Sequence, residues 1–321
     1  MSHQQQPGLK ARIILGAARR RSNRRRSETV LNTVRVDERT LAYREVGSGP
    51  EVLLLHGWPT SSFLWRRVMP VIARERRVLA LDLPGFGASD KPTDVTYHLP
   101  FFTAAVGGFL NARGIERVDL AVHDLGGPIG VRFALDDPDR VRSLALLNTL
   151  LYPEDMTRPL RKFADGLRTP GKRERLTSDA ALEVALRFGT ADESSVTEEA
   201  IAGIVEPLRS DADRLALAKA GSDIPDAAFA ELARELPCLT LPVRVIYGQE
   251  DRILRAIAET VTRIRRDLPQ AEVTALPGRG HFLQEDDPDR VGALLAEFFP
   301  RQSRGVLTRP TPSPGAGARS V

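Results

Sequence analysis

Cysteine is almost absent: Cys238 is the only one in 321 residues. No disulfide can close within the chain, and a reducing compartment, the cytoplasm, is the expected location. No apolar run approaches the roughly 20 residues that a membrane-spanning helix needs, so no membrane span is expected. The five histidines do not fall at metal-ligand spacing and no carboxylate cluster accompanies them; no metal is expected. A P-loop and a dinucleotide-binding glycine fingerprint are both lacking, so no cofactor is expected either. Side chains that donate a hydrogen bond from an aromatic body are few. Trp58 and Trp65 are the only tryptophans, and the tyrosines are Tyr43, Tyr97, Tyr152 and Tyr247.

What is present fits a globular enzyme-sized chain. It is 42% hydrophobic and 27% charged, enough to bury a sizeable core. The formal net charge of +4 is concentrated at one end. Residues 1–29 carry the cluster Arg19-Arg-Arg-Ser-Asn-Arg-Arg-Arg26 and a single acidic residue, Glu28, while the remainder is slightly acidic. No apolar stretch follows the arginines, so the arm is a poor secretory signal. It reads as a disordered, solvated extension, with a weaker case for contact with nucleic acid or an anionic surface. Residues 301–321, rich in proline and glycine, read as a disordered tail.

Between these ends, segments with strand and helix character alternate. Strand-like runs fall at Val34–Val36, Thr40–Val46, Val52–Leu55, Val78–Leu83, from Val118, Ser143–Leu147, Val243–Tyr247 and Ala271–Leu276. Helical spacing appears over Ser62–Arg74, Phe101–Arg113, Ile129–Leu135 and Asp289–Phe299. This alternation predicts an α/β fold, a mostly parallel eight-stranded sheet with helices on both faces. One segment breaks the pattern. Residues 154–241 contain helical patches and no convincing strand, so they read as an all-helical lid inserted in a core formed by 30–153 and 242–300. Such a lid would cover the carboxyl edge of the sheet, where open α/β sheets bind ligands.

The stretch Leu120-Ala-Val-His-Asp-Leu-Gly-Gly127 organises the chemistry. A β-prone run ends at His123-Asp124, two glycines follow, and helical spacing resumes. Strand, sharp turn and helix are the layout of a nucleophile elbow, here with Asp124 at its apex. A carboxylate at that place can attack carbon and form an ester; the plainer alternative is that Asp124 caps the next helix. His281, in Gly278-Arg-Gly-His-Phe-Leu-Gln284, follows the last strand and is the candidate base. Asp251 follows the preceding strand and is the candidate acid, with Glu250 as rival and a capping role open to either. His56-Gly-Trp-Pro59 follows the third strand, where the amides of Trp58 and Leu125 would serve as oxyanion donors. His56, His123, Asn148 and Tyr152 stand near these strand ends and are candidates for substrate contact.

The order Asp124, Asp251, His281 is nucleophile, acid, base, that of the α/β-hydrolases. Over residues 30–300 the chain resembles the haloalkane dehalogenase and epoxide hydrolase group, the dehalogenases more closely. His56-Gly-Trp-Pro-Thr-Ser-Ser-Phe-Leu-Trp-Arg66 is similar to the dehalogenase pattern HGxPTSSxLWR, and Gly85-Phe-Gly-Ala-Ser-Asp-Lys-Pro92 to GxGxSDKP. Asp139-Arg-Val-Arg-Ser-Leu-Ala-Leu-Leu-Asn-Thr149 and His281-Phe-Leu-Gln-Glu-Asp286 fit as well. Val122 is the residue type dehalogenases carry two places before the nucleophile, where epoxide hydrolases usually have glycine. Members with the acid after the Ser143 strand have glutamate at the place of Asn148, which favours Asp251 here.

The resemblance implies hydrolysis of a small apolar substrate through an ester on Asp124, with water activated by His281. It also exposes two departures. Dehalogenases carry tryptophan directly after the nucleophile, to stabilise the departing halide, and this chain has Leu125. Trp58 holds the place from which some of them offer a second donor. Epoxide hydrolases use two lid tyrosines, and only Tyr152 stands near the lid entrance. Three readings follow: dehalogenation, opening of an epoxide or another ester-like bond, or a ligand-binding member of the fold with weak or no turnover.

Overall fold

The computed structural model describes residues 29–299; the basic arm and the Pro/Gly-rich tail lie outside the described residues. Eight strands form one sheet: β1 (Val30–Val36), β2 (Arg39–Gly47), β3 (Glu51–Leu55), β4 (Arg77–Leu81), β5 (Val118–Asp124), β6 (Val141–Thr149), β7 (Val243–Gly248) and β8 (Glu272–Leu276). Their order is β1-β2-β4-β3-β5-β6-β7-β8. β2 runs antiparallel to β1 and β4, and the pairings from β4 through β8 are parallel.

The central strands are rich in apolar residues because both their faces are covered. All seven residues of β5 are buried, although alternate side chains point to opposite faces. β1, at the edge, shows mixed exposure instead, with Val30 and Leu31 open to solvent. The carboxylate at the start of β5 is compensated: Asp119 meets Arg76 at 3.1 Å and Arg142 at 3.2 Å, and accepts from Ser143 Oγ at 2.8 Å. A buried carboxylate without such partners would strongly oppose folding.

Helix α1 (Leu99–Ala112) packs on α2 (Gly126–Asp136) and on β1. The spacing over Ser62–Arg74 suggests one helix, but the chain forms a 3₁₀ turn at Ser62–Trp65 and a separate short helix at Met69–Ile72. Pro70 explains the break: in a continuous helix its ring would clash with the carbonyl of Arg66, and it has no N–H to donate.

Between β6 and β7 the described chain contains helices and no strand. These are α3 (Arg158–Arg168), α4 (Asp179–Gly189), α5 (Glu198–Val205), α6 (Asp211–Ala220) and α7 (Asp226–Glu235), with a short helical turn at Lys172–Leu176. Ser178, Thr197 and Ser210 each accept a hydrogen bond from a backbone N–H in the first turn of α4, α5 and α6. Such caps are how polar joints start successive short helices. Helix α8 (Ile257–Asp267) lies between β7 and β8, and α9 (Pro288–Phe298) closes the described chain and packs against Met69–Ile72.

The sheet order sets where a site can form. β3 lies between β4 and β5, so the connections leaving β3 and β5 diverge and open a crevice at their carboxyl ends. His56-Gly57-Trp58 leaves the end of β3, and Asp124 ends β5.

Candidate active site

Asp124 sits at φ +50°, in the left-handed region that a non-glycine residue occupies only when its surroundings hold it there. Two glycines make the turn fit. A Cβ on Gly126 would lie 2.8 Å from the Leu55 carbonyl oxygen, and one on Gly127 would overlap Thr149 Oγ1 at 1.6 Å. Thr149 Oγ1 in turn donates to the Asp124 carbonyl at 2.7 Å. The elbow is thus clamped between β3 and β6.

The Asp124 carboxylate is held by backbone amides. The Trp58 N–H donates to Oδ1 at 2.9 Å, and the Leu125 N–H bonds the same carboxylate. Burial pushes the Asp124 carboxyl above its ordinary value of 3.8, against the opposing pull of His281 and the two amides. Oδ2 points the other way, 3.5 Å from His281 Nε2.

His281 is completely buried, and its Nε2 has no hydrogen-bond partner. Its Nδ1 lies 2.9 Å from Asp251 Oδ2. The backbone around it is pinned by the end of α4, because the N–H groups of His281 and Phe282 both donate to the Gly189 carbonyl, at 2.6 and 3.2 Å. Burial disfavours the imidazolium, but the Asp251 charge and hydrogen bond and the Asp124 charge outweigh it, so the His281 pKa is raised above 6.5.

Asp251 is fully satisfied. Oδ1 accepts from the Ile253 and Leu254 amides at 2.8 and 2.7 Å; Oδ2 accepts from Asn148 Nδ2 at 2.7 Å besides facing His281. Burial alone would raise its pKa; the His281 charge and these donors reverse the sign and lower it. Its neighbour Glu250 is exposed and makes no bond to His281 among the described residues.

An apolar cavity of about 390 Å³ opens beside Asp124, walled by Leu125, Leu150, Leu160, Phe163, Phe282 and further residues of the helical insert. The lining side chains with an N–H or O–H are Trp58, Thr157, Arg252 and Arg255. The Trp58 indole is engaged, donating from Nε1 to the Leu217 carbonyl of α6 at 3.1 Å, with Phe163 edge-on at 4.9 Å. Leu125 contributes its amide to the Asp124 carboxylate and an apolar side chain to the wall.

None of the four candidates for substrate contact lines the cavity, and each has other partners. His56 is buried with Nε2 accepting from the Leu83 amide at 3.1 Å, so it ties β3 to the loop after β4. His123 donates from Nε2 to the His281 carbonyl at 2.9 Å. Burial first, then the neighbouring His281, push its pKa well below 6.5, so the ring is a neutral support beneath His281. Tyr152 donates its hydroxyl to Asp267 Oδ2 at 3.0 Å and is buried away from Asp124.

Asn148 is the fourth, and its position has a role that residue type alone does not reveal. It is the penultimate residue of β6, at φ +29°, donates to Asp251, and accepts from the Gly248 amide at 2.9 Å through Oδ1. It therefore braces the carboxylate that faces His281. The visible signal was a polar residue, in place of the glutamate other members carry, at a strand end beside Asp251. Among the described residues no group of three or more His, Cys, Asp or Glu side chains could hold a metal ion, and no helix is long and apolar enough to cross a membrane.

Comparison with known proteins agrees with this architecture. The family model described as alpha/beta hydrolase fold matches residues 50–288. A haloalkane dehalogenase 2 of Mycobacterium tuberculosis is 32% identical over 262 residues, covering 80% of this chain and 90% of that protein. The crystal structure of a haloalkane dehalogenase from Bradyrhizobium elkani superposes with a TM-score of 0.73 at 27% identity, over 84% of this chain and 99% of that one. An epoxide hydrolase structure shares the fold, with a TM-score of 0.73 at 24% identity over 85% of this chain and 99% of that one. The chain therefore belongs to the α/β-hydrolase fold family, among the relatives of the haloalkane dehalogenases.

Proposed function

We propose that the protein hydrolyses a small, largely apolar substrate through a covalent ester on Asp124, with displacement of halide from an alkyl carbon as its reaction. One observation carries this reading. His281 Nε2 is buried, unpartnered and 3.5 Å from Asp124 Oδ2, while its Nδ1 is tied to Asp251. A base fixed in that tautomer beside a carboxylate has no structural need to be there.

In the first step Oδ2 attacks the substrate carbon, and the carbon–halogen bond breaks with its electron pair leaving on the halide. The ester carbonyl is then Cγ–Oδ1, already facing the Trp58 amide. In the second step His281 Nε2 takes a proton from water as the water oxygen adds to Cγ. The amides of Trp58 and Leu125 stabilise the negative charge that develops on Oδ1. Collapse breaks the Cγ–Oδ2 bond, Oδ2 leaves with the substrate as an alkoxide that takes the proton from His281, and the regenerated carboxyl, which now holds the water oxygen, loses its proton to solvent. The sum is alkyl halide and water to alcohol, halide and a proton. Asp251 stabilises the imidazolium formed in between, and Asn148 holds Asp251.

Epoxide opening receives less support, because it needs a donor for the ring oxygen and the Tyr152 hydroxyl is committed to Asp267. The test is His281→Phe incubated with haloalkanes and epoxides, followed by intact-protein mass and peptide mapping. The expected result is an alkyl adduct on Asp124 with halide released. An adduct from epoxides alone moves the reaction to ring opening. No adduct from any substrate sinks the ester mechanism on these compounds.

A further inference from the structure

Four cavity-lining residues are also exposed at the surface: Pro159, Phe188, Arg252 and Arg255. They therefore mark where the apolar cavity meets solvent. Two of the four are arginines, three residues apart in the loop that follows Asp251. Neither forms an ion pair with a carboxylate among the described residues. This sets them apart from arginines on the nearby insert surface, where Arg161 meets Asp226 at 2.8 Å and Arg168 meets Asp165 at 3.1 Å.

Their placement is not that of loosely solvated side chains. The Arg252 guanidinium lies over the Phe188 ring, 5.2 Å from its centroid, and it donates to the Thr190 carbonyl. Arg255 Nε donates to the Arg252 carbonyl at 3.3 Å. Each guanidinium is anchored through one of its N–H groups, and each keeps others for a ligand. Anchored forks of this kind lose little freedom when they bind an anion.

We infer that Arg252 and Arg255 form an anion-recognising rim on the cavity, so that the preferred substrates are linear organic anions. Such a molecule would lay its alkyl chain in the cavity toward Asp124 and leave a carboxylate, remote from the bond that breaks, at the rim. The inference deepens the hydrolase reading and rests on the cavity being the substrate site. It also has a physical reason. A carboxylate drawn into the apolar interior would be desolvated without compensation, whereas at the rim it stays partly hydrated and meets two positive charges. Two like charges at the mouth of a low-dielectric cavity also raise the local concentration of anions, an effect that salt weakens.

The test compares ligands that differ only in charge. Binding of hexanoate and of 1-hexanol to the full chain is measured by calorimetry, and hydrolysis of 6-bromohexanoate and of 6-bromohexan-1-ol by bromide release. The protein is expected to prefer the anion. In R252Q/R255Q the anion-to-alcohol preference should fall about tenfold, both in Kd and in kcat/KM, and raising ionic strength should lower it in the parent. R252K/R255K, which keeps both charges, should retain most of the preference.

Equal binding of hexanoate and hexanol by the parent overturns the inference. So does an unchanged preference in the glutamine variant, or a lysine variant that loses as much as the glutamine one. Binding does not require turnover, so absence of bromide release from both substrates counts against the Asp124 reaction alone. The hexanoate and hexanol comparison then still decides the rim.

Discussion

At the strand ends beneath the cavity, the polar groups around Asp124 have defined partners. Around the cavity itself, the Trp58 indole is committed and both arginines lie at the rim, which leaves Thr157 as the other lining side chain with a donor. Asp251 receives four hydrogen-bonding contacts and Asp124 two amides. On the other side the Trp58 indole is held by Leu217, the Tyr152 hydroxyl by Asp267, and Leu125 offers no side-chain donor. The difference teaches that the groups an ester mechanism on Asp124 would use are held to close tolerance, while few side-chain donors face the place where a leaving group would depart. Under the proposed reaction, the first step would then depend on a good leaving group or on help from the far end of the substrate.

The largest effect should come from breaking the floor. Asp124→Asn removes the attacking oxygen anion and is expected to lower turnover by more than about 10³-fold, with thermal unfolding close to that of the parent. Halide release within tenfold of the parent would remove Asp124 from the mechanism.

A second experiment sharpens the contrast by building what the wall lacks. Leu125→Trp places an indole N–H beside the nucleophile, and the cavity has room for it. Dehalogenation by this variant is expected to rise about 10- to 100-fold, the scale of one donor to transition-state charge. A folded variant with unchanged or lower kcat would mean that halide stabilisation is not what limits the rate.

The pH profile reads the floor directly. His281 must be neutral to accept a proton from water, and its pKa is raised by Asp251 and Asp124 against the effect of burial. Activity limited by ester hydrolysis should therefore be full above the raised value and fall as pH drops through it. The inflection should lie above the ordinary 6.5 of imidazole. Asp124 also has a raised pKa, so it adds a second loss on the same acid side. An acid limb centred well below 6.5 in kcat would show that His281 does not act as this base.

The smallest effects are expected where donors are spent on structure. Trp58→Phe leaves the Leu217 carbonyl without its indole partner and should cost about 1–2 kcal/mol in denaturant unfolding. Tyr152→Phe should cost about 0.5–1.5 kcal/mol and leave halide release unaltered. A selective loss of kcat in Tyr152→Phe would restore that hydroxyl to the chemistry and break the contrast between floor and wall.

Much of this molecule was readable in advance, and the reasons are local. The eight strands were visible because strands buried on both faces must be apolar, as Val52–Leu55 and Val118–Val122 are. The elbow was visible because a left-handed turn and a close helix approach demand glycines at 126 and 127. Helix α8 was not among the expected helices, although Ile257, Val261 and Ile264 carry apolar spacing. The single helix suggested over Ser62–Arg74 failed at Pro70, a local signal outweighed by the apolar spacing around it.

Tertiary structure alone decided the partners of polar side chains. Residue type and chain position could bring Asp124, Asp251 and His281 to strand ends on one edge of the sheet, because strands joined by crossover helices run parallel and end on the same side. They could not show that Asn148 spends both ends of its amide on Asp251 and Gly248, or that Trp58 and Tyr152 donate to Leu217 and Asp267. Those bonds join residues about 100 or more positions apart, as do several that hold the site. Backbone conformation is written in short-range sterics and apolar periodicity, which a sequence displays. The choice among competing hydrogen-bond partners depends on distances of a few tenths of an ångström, and only the packed fold fixes those.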